Sequence, residues 1–355
     1  MIIKSYRSLT RAAIGGRGLS CQSPFDAMLA AMSRVLDHLQ TEIFSALGDQ
    51  PVTVLPDDVD ASFLVNTQSV VVGFARGDTL PDLDPNLYDV LLTHTPNAPQ
   101  PWLSVSSISE TADAIQRNVQ RNPYAANMLR QVLRANENLP FEQALNVESF
   151  AYSALLGGQE FARWREAHPA KAFNNAGRVD YARDGDHVTL TLACPETHNA
   201  MTAAMRDALF EALAAVLDDP SQPSVTIRGL GASLSVGGDL NEFGANTDLP
   251  KGHAIRTARS IARLIHELGA RVEVQFRGPC LGSGLECFAD AARRVAFGDA
   301  FFQLPELSMG LMPGAGGAVT VPRAIGRHRG AAMMFGGMRV SAKKALAWGL
   351  IHEAL

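Results

Sequence analysis

Gly278-Pro279-Cys280-Leu281-Gly282-Ser283-Gly284-Leu285-Glu286 is the stretch on which the reading of this chain turns. A second carboxylate follows in Leu304-Pro305-Glu306, and the chain then runs through Met309-Gly310-Leu311-Met312-Pro313-Gly314-Ala315-Gly316-Gly317. Upstream, Leu234-Ser235-Val236-Gly237-Gly238-Asp239-Leu240-Asn241-Glu242-Phe243 makes a third glycine turn of the same kind. One carboxylate beside a glycine turn is commonplace. Three such segments in this order suggest backbone N–H groups that polarise a carbonyl while Glu286 and Glu306 move protons.

Around these turns the sequence alternates. Strand-like runs at 179–182, 187–192, 225–228 and 272–276 are interleaved with helical patterns at 202–217, 253–268, 284–292, 329–335 and 341–348. The first two runs flank Asp184-Gly185-Asp186 and read as a hairpin. The rest is a βα alternation, which buries a mostly parallel sheet under helices. The fold class expected is α/β.

The first half reads differently. Helical spacing marks residues 24–46 and 109–168, the latter through Ile115, Val119, Met128, Leu129, Val132, Leu133, Leu145, Phe150, Leu155 and Leu156. Between them lie two possible short strands at 63–65 and 70–74. Pro81, Pro85, Pro96, Pro99 and Pro101 then argue for an irregular connection. The division expected is a mainly helical extension at 1–170 and a core at 171–355.

At 355 residues the chain has room for both. Its net charge of -5 excludes a general affinity for nucleic acid. The first 170 residues hold 12 Lys/Arg against 18 Asp/Glu, and the remainder 19 against 18, so the second half suits an anionic small ligand better. Cys21, Cys194, Cys280 and Cys287 form no metal-ligand spacing, and reduced thiols in a cytoplasmic protein are the simplest reading. No run has the length of a membrane span. Lys4, Arg7, Arg11 and Arg17, with no acid among them, faintly resemble a transit peptide, but an ordinary N-terminus is the simpler account.

From residue 188 on, the chain resembles the enoyl-CoA hydratase/isomerase (crotonase) superfamily. The matching pieces are Ala193-Cys194-Pro195-Glu196-Thr197-His198-Asn199-Ala200-Met201, the Gly237-Gly238-Asp239 turn, the 278–286 turn, Leu304-Pro305-Glu306 running into Pro313-Gly314-Ala315-Gly316-Gly317, and Gly349-Leu350-Ile351. The resemblance implies a crotonase-like ββα spiral core, an acyl-CoA thioester substrate with Gly237, Gly282 and Gly314 beside it, and no cofactor beyond the coenzyme A of the substrate. It implies an oxyanion hole from the amides of Gly238 and Ser283, and Glu286 and Glu306 as the pair that adds water to a 2-enoyl thioester. The family usually has glycine where Ser283 stands; serine serves if its φ is negative. Isomerases of the family generally keep only the carboxylate matching Glu306, so the pair favours hydration.

Two departures set other expectations. The family usually continues with helices past the Gly349-Leu350-Ile351 signal, whereas this sequence ends at Leu355 and carries its extra residues in front. The segment at 148–164 resembles the extension of a smaller branch that includes the cofactor-independent dihydroxyphenylacetyl-CoA dioxygenase. Isomerisation, arylacetyl-CoA dioxygenation and a non-catalytic acyl-CoA-binding scaffold are therefore the alternatives. Helices 109–168 are expected to cover the core, in a homotrimer or a dimer of trimers.

Each residue also has a plainer reading. A glutamate after a helical glycine turn is usually a solvated first-turn carboxylate, and only the register of several motifs reverses that for Glu286. Asp239 reads as a cap and Asn199 as a turn residue. His198 and His253 read as surface histidines. Arg323, Arg327, Arg329, Arg339, Lys343 and Lys344 fit a solvated helix face better than a coenzyme A phosphate site. One of Arg256, Arg259 and Arg263 is a candidate to enter the acyl pocket.

Overall fold

The computed structural model describes residues 41–59, 61, 64, 66–77, 79–171 and 177–355. Most of the helix expected at 24–46, Cys21, and two of the three residues of the strand expected at 63–65 lie outside them.

Among the described residues the N-terminal half is not purely helical. Beside its helices it holds a four-stranded parallel sheet in the order β1 (Val52–Pro56), β2 (Val70–Phe74), β3 (Val90–Thr93), β4 (Leu103–Ser104). β3 sits inside the stretch whose prolines suggested an irregular connection. Its residues are all buried, as are the first four of β2. Val70, Val72, Val90 and Leu92 face the main core, while Val71 and Leu91 face a smaller cluster with Tyr88 and Trp102. A parallel strand covered on both faces has no polar side to betray it.

Four helices follow: α1 (Ile108–Arg121), α2 (Pro123–Asn136), α3 (Phe141–Leu156) and α4 (Gln159–Ala167). Ser107 caps α1 by accepting from the Glu110 amide at 3.2 Å. α2 starts on Pro123, and the buried Glu160 carboxylate of α4 accepts from the Tyr124 and Ala125 amides at 3.0 and 2.9 Å. That anion sits where the helix dipole favours one.

In the C-terminal half, β5 (Val179–Asp184) and β6 (His187–Leu192) form the expected hairpin. The six-stranded sheet runs β13 (Glu353–Ala354), β10 (Arg293–Ala296), β8 (Val272–Phe276), β7 (Ser224–Gly229), β6, β5, parallel except for the hairpin. β9 (Pro279–Leu281) and β11 (Phe301–Gln303) pair in parallel, with β12 (Val340–Ser341) antiparallel to β11. The helices are α5 (Ala203–Asp218), α6 (Leu249–Ala258), α7 (Ile261–Leu268), α8 (Ser283–Glu286), α9 (Gly317–Ile325), α10 (Arg327–Gly336) and α11 (Ala342–Trp348). The single helix expected at 253–268 is thus two, because Ser260 starts α7 afresh by accepting from the Arg263 amide.

One apolar core joins the halves. Ile115 and Leu129 of the first helices lie in the same cluster as Leu190, Phe276, Phe302 and Phe335, all fully buried. Each such side chain contributes about 1.5–3 kcal/mol over an exposed one. Polar stitches fix the docking: Asn118 Nδ2 donates to the Phe335 carbonyl at 3.0 Å, Asn122 Nδ2 to Leu307 at 2.7 Å, and Asn136 Nδ2 to Ala318 at 3.2 Å. The helices thus pack on the core of their own chain.

Among the basic residues near the end, Arg327 and Arg329 are buried, not solvated. Arg327 donates to the Tyr88 carbonyl and pairs with Glu137, and Arg329 donates to the Ala98 carbonyl. The N-terminal half takes up these charges, so neither can reach a phosphate. No helix among the described residues is long and apolar enough to cross a membrane.

Candidate active site

Two parallel strands end at the site. β9 and β11 are paired with Leu281 opposite Gln303, and the Gly282 amide donates to the Gln303 carbonyl at 3.0 Å. Ser283 therefore follows one strand end and Glu306 the other, on the same side of the sheet. A third strand-like contact, Ser235 against Cys280, brings the upstream glycine turn alongside. Gly237 touches the Gly282 turn: a Cβ on Gly237 would lie 2.7 Å from the Leu281 carbonyl oxygen and 3.5 Å from the Gly282 Cα. Met201 grips that turn, donating to the Gly237 carbonyl at 2.7 Å and accepting from the Asp239 amide at 3.0 Å.

This grip skips Gly238. Among the described residues the amides of Gly238 and Ser283 donate to no other backbone group, and both residues line one cavity of about 790 Å³. Ser283 keeps a negative φ, since among the described residues the non-glycine positions with positive φ are Asn97, His198, Asn199 and Gln222. Its amide opens α8, where backbone N–H groups have no partner in the helix.

Glu286 and Glu306 line the same cavity, both buried. Glu306 Oε1 and Glu286 Oε1 lie 2.7 and 3.7 Å from a single point, the place a Cβ would take on Gly282. Gly282 has φ +47, so glycine is required there for both space and backbone. Glu286 Oε2 accepts from the Ala315 amide at 2.8 Å and the Gly317 amide at 3.2 Å. Glu306 Oε2 is buried and has no hydrogen-bond partner among the described residues.

Burial dominates the electrostatics, because removing a carboxylate from water favours its neutral form. It pushes Glu286 up from its ordinary value of 4.5 to about 7, against the opposing pull of the Ala315, Gly317 and Gly314 amides. Burial, and then the Glu286 charge, push Glu306 well above the usual carboxylate range. Buried acids shifted this way in a cleft are what acid–base chemistry uses.

Sequence reasoning missed a third carboxylate. Glu148 of α3 is buried, and its two oxygens accept from the Gly316 and Ala318 amides, each at 2.7 Å. It occurs with Leu145, Ala151 and Leu155 among the buried residues of α3, so an acid inside an apolar stripe was the one available signal. Tyr152 covers Gly314, its ring filling the space a Cβ would need there. Arg256 of α6 stacks over that ring at 4.9 Å and donates to Ser149 and Ser153 of α3. Of the three arginines suggested for the pocket, Arg259 and Arg263 also line it, but each has an acidic partner.

The remaining candidates take structural places. Asn199 Oδ1 accepts from the Cys194 amide, and its Nδ2 donates to Leu230 and Ser233. Asp239 accepts from Asn241. His198 is exposed, and His253 stacks on Phe150 outside the cavity lining.

The family model described as enoyl-CoA hydratase/isomerase matches residues 186–355. The fatty acid oxidation complex subunit alpha of Shewanella sp. (strain W3-18-1) is 31% identical over 186 residues, 49% of this chain and 25% of that protein. The Shewanella loihica counterpart is 31% identical over 185 residues, with 48% and 25% covered. The chain thus spans about a quarter of the length of these relatives. Among solved structures, an enoyl-CoA hydratase from Thermoplasma volcanium GSS1 is 31% identical over 50% of this chain and 71% of that one, with a TM-score of 0.45. One from Mycobacterium smegmatis is 30% identical, with 50% and 69% covered and a TM-score of 0.47. Residues 186–355 are thus a domain of the enoyl-CoA hydratase/isomerase (crotonase) superfamily.

Proposed function

We propose that the chain is an acyl-CoA hydratase adding water across the 2,3-double bond of a 2-enoyl thioester. One observation carries this reading: Glu286 and Glu306 converge on one point beside Gly282, in the cavity lined by Gly238 and Ser283. The thioester oxygen sits between those two amides, where each donor is worth roughly 3 kcal/mol in the transition state. Gly237 and Gly282 let the two turns close on each other beside that oxygen, and Gly314 lies under the Tyr152 ring.

The two acids divide the proton work by their surroundings. Glu286 Oε2 faces two N–H donors, which favour the carboxylate. Its free oxygen takes a proton from water as the water oxygen bonds to Cβ, and the π electrons move to the thioester oxygen. Glu306, whose Oε2 faces no donor, holds the proton and delivers it to Cα as the enolate collapses. Return of the proton from Glu286 to Glu306 resets the pair. Water and thioester are the sole reactants, so coenzyme A enters with the substrate. Isomerisation would need one carboxylate only. Dioxygenation of an arylacetyl-CoA is the second reading, favoured by the entry of α3 into the cavity; metal-independent oxygen uptake with such a thioester would carry it.

Purified protein is expected to convert some member of a 2-enoyl-CoA panel to the 3-hydroxyacyl-CoA. A panel left untouched overturns the proposal. The rate should fall on the acid side with a midpoint near 7, as Glu286 takes up its proton. The same shift acts on stability with the opposite sense. Between 4.5 and about 7 the folded state holds a proton on Glu286 that the unfolded chain has lost, so this group's contribution to stability falls as pH rises.

Gly282→Ala tests the convergence itself. The added methyl would meet Glu306 Oε1 at 2.7 Å in a backbone conformation that alanine disfavours. Turnover is expected to drop by about 100-fold through displacement of the acid, with unfolding easier by about 1–3 kcal/mol. Kinetics and a thermal melt read the two effects separately.

A further inference from the structure

Glu148 lies outside the segment matched by the family model, and the two-carboxylate reaction does not use it. Its geometry is nonetheless bound to that of the pair. Glu148 takes the amides of Gly316 and Ala318, and Glu286 takes those of Ala315 and Gly317. The two carboxylates alternate along four successive amides at the start of α9. Gly316, with φ +108, makes the alternation possible.

We propose that Glu148 is a positioning residue of the site: it clamps every second amide of the 315–318 turn, so that the others point at Glu286, and its charge leaves the proton of the cluster on Glu306. The geometry distinguishes the three acids. Burial and the Glu286 charge push Glu148 well above the usual carboxylate range too, against the pull of the Gly316 and Ala318 amides and of Arg256. Hydrogen bonding separates it from Glu306: both oxygens of Glu148 and one of Glu286 accept N–H bonds at 2.7–3.2 Å, which suits carboxylates. Glu306 alone has a buried oxygen without a partner among the described residues. The groups facing Glu148 are Glu286 and Cys287 at α8, Glu306 after β11, Tyr152 on its own helix and Arg256 on α6. Arg256 is the sole cation in that set. Three carboxyls with one cation between them cannot all ionise cheaply, and the apparent titrations belong to the cluster. Only the naming of the reaction's acid and base rests on the hydratase reading; the clamp does not.

Infrared titration of buried carboxyl groups in the full chain tests the proposal. The wild-type protein should show a protonated carboxyl that persists at neutral pH and above the Glu286 midpoint of about 7, and that Glu306→Gln removes there. Glu148→Gln should lower the midpoint of that band by about one pH unit, since a like charge has gone, while Glu148→Asp leaves it in place. With a turned-over enoyl-CoA, both limbs of the pH–rate bell should move down with the band. A loss of packing alone would lower the bell without moving it.

A folded Glu148→Gln protein with an unmoved midpoint overturns the proposal. So does a wild-type protein with no protonated carboxyl at neutral pH, a result that needs no variant to fold. If the band moves but no enoyl thioester reacts, the role of Glu148 stands and the hydratase reading falls.

Discussion

Glu306→Gln is expected to lower kcat on a 2-enoyl-CoA by about 10²–10⁴-fold, with a much smaller change in KM. The amide of glutamine matches the shape of the protonated acid but has no proton to give to Cα. Burial and the Glu286 charge push Glu306 well above the usual carboxylate range, which favours the form that carries that proton. Glu286→Gln should cost a similar factor for the complementary reason: water loses its base. Its remaining carbonyl oxygen can still accept from Ala315 and Gly317, so the turn should survive. The two losses act on one proton cycle, and the double variant should be little worse than either single one. Steady-state kinetics alongside a thermal melt check this. A Glu306→Gln protein with wild-type kcat would remove that residue from the chemistry.

The largest stability effect is expected far from the pair, at Asp89. This residue precedes β3 and is buried. It accepts from the Val71 amide at 2.8 Å, from Arg130 Nε at 2.8 Å and from Arg134 Nε at 2.9 Å. Arg327 of α10 comes within 3.8 Å. One carboxylate thus joins the first sheet, α2 and the core helix. Asp89→Ala would leave Arg130, itself 7% exposed, without its counter-charge, which should cost about 3–5 kcal/mol. Replacing both members by apolar residues of matching shape should cost far less, since the penalty comes from the unpaired charge. Denaturant unfolding of Asp89→Ala and of Asp89→Ala with Arg130→Met would check both statements. A single variant as stable as wild type would show that the pair is not what holds the first sheet to α2.

Several elements were legible because their cause is local. The hairpin around Gly185, the runs at 225–228 and 272–276, and the helices expected at 202–217, 329–335 and 341–348 follow from spacing and turn residues, whereas the helix expected at 284–292 ends at Glu286. Glu286 follows Ser283 by three residues in α8, one turn on, so its place behind the opening amide is a helical fact. The N-terminal sheet was hidden because its central strands are buried on both faces and show no alternation. β3 was further masked by prolines on either side of it. Arg327-His328-Arg329 looks like a solvated face, yet each of the three meets a carbonyl, of Tyr88, Pro85 and Ala98 respectively. No local pattern could announce that, since the acceptors lie more than 200 positions away.

What the sequence alone determined is the order of the parts: glycines where φ must be positive or a Cβ would collide, a helix start at Ser283, and two glutamates after two strand ends. These are set by each residue's own backbone and its chain neighbours. Only the tertiary structure decided which amides each carboxylate meets, and that Glu148 joins them from α3. Protonation was decided there too, because burial and mutual repulsion act through space: residues 148, 286 and 306 become neighbours only when the N-terminal helices dock on the core and exclude water.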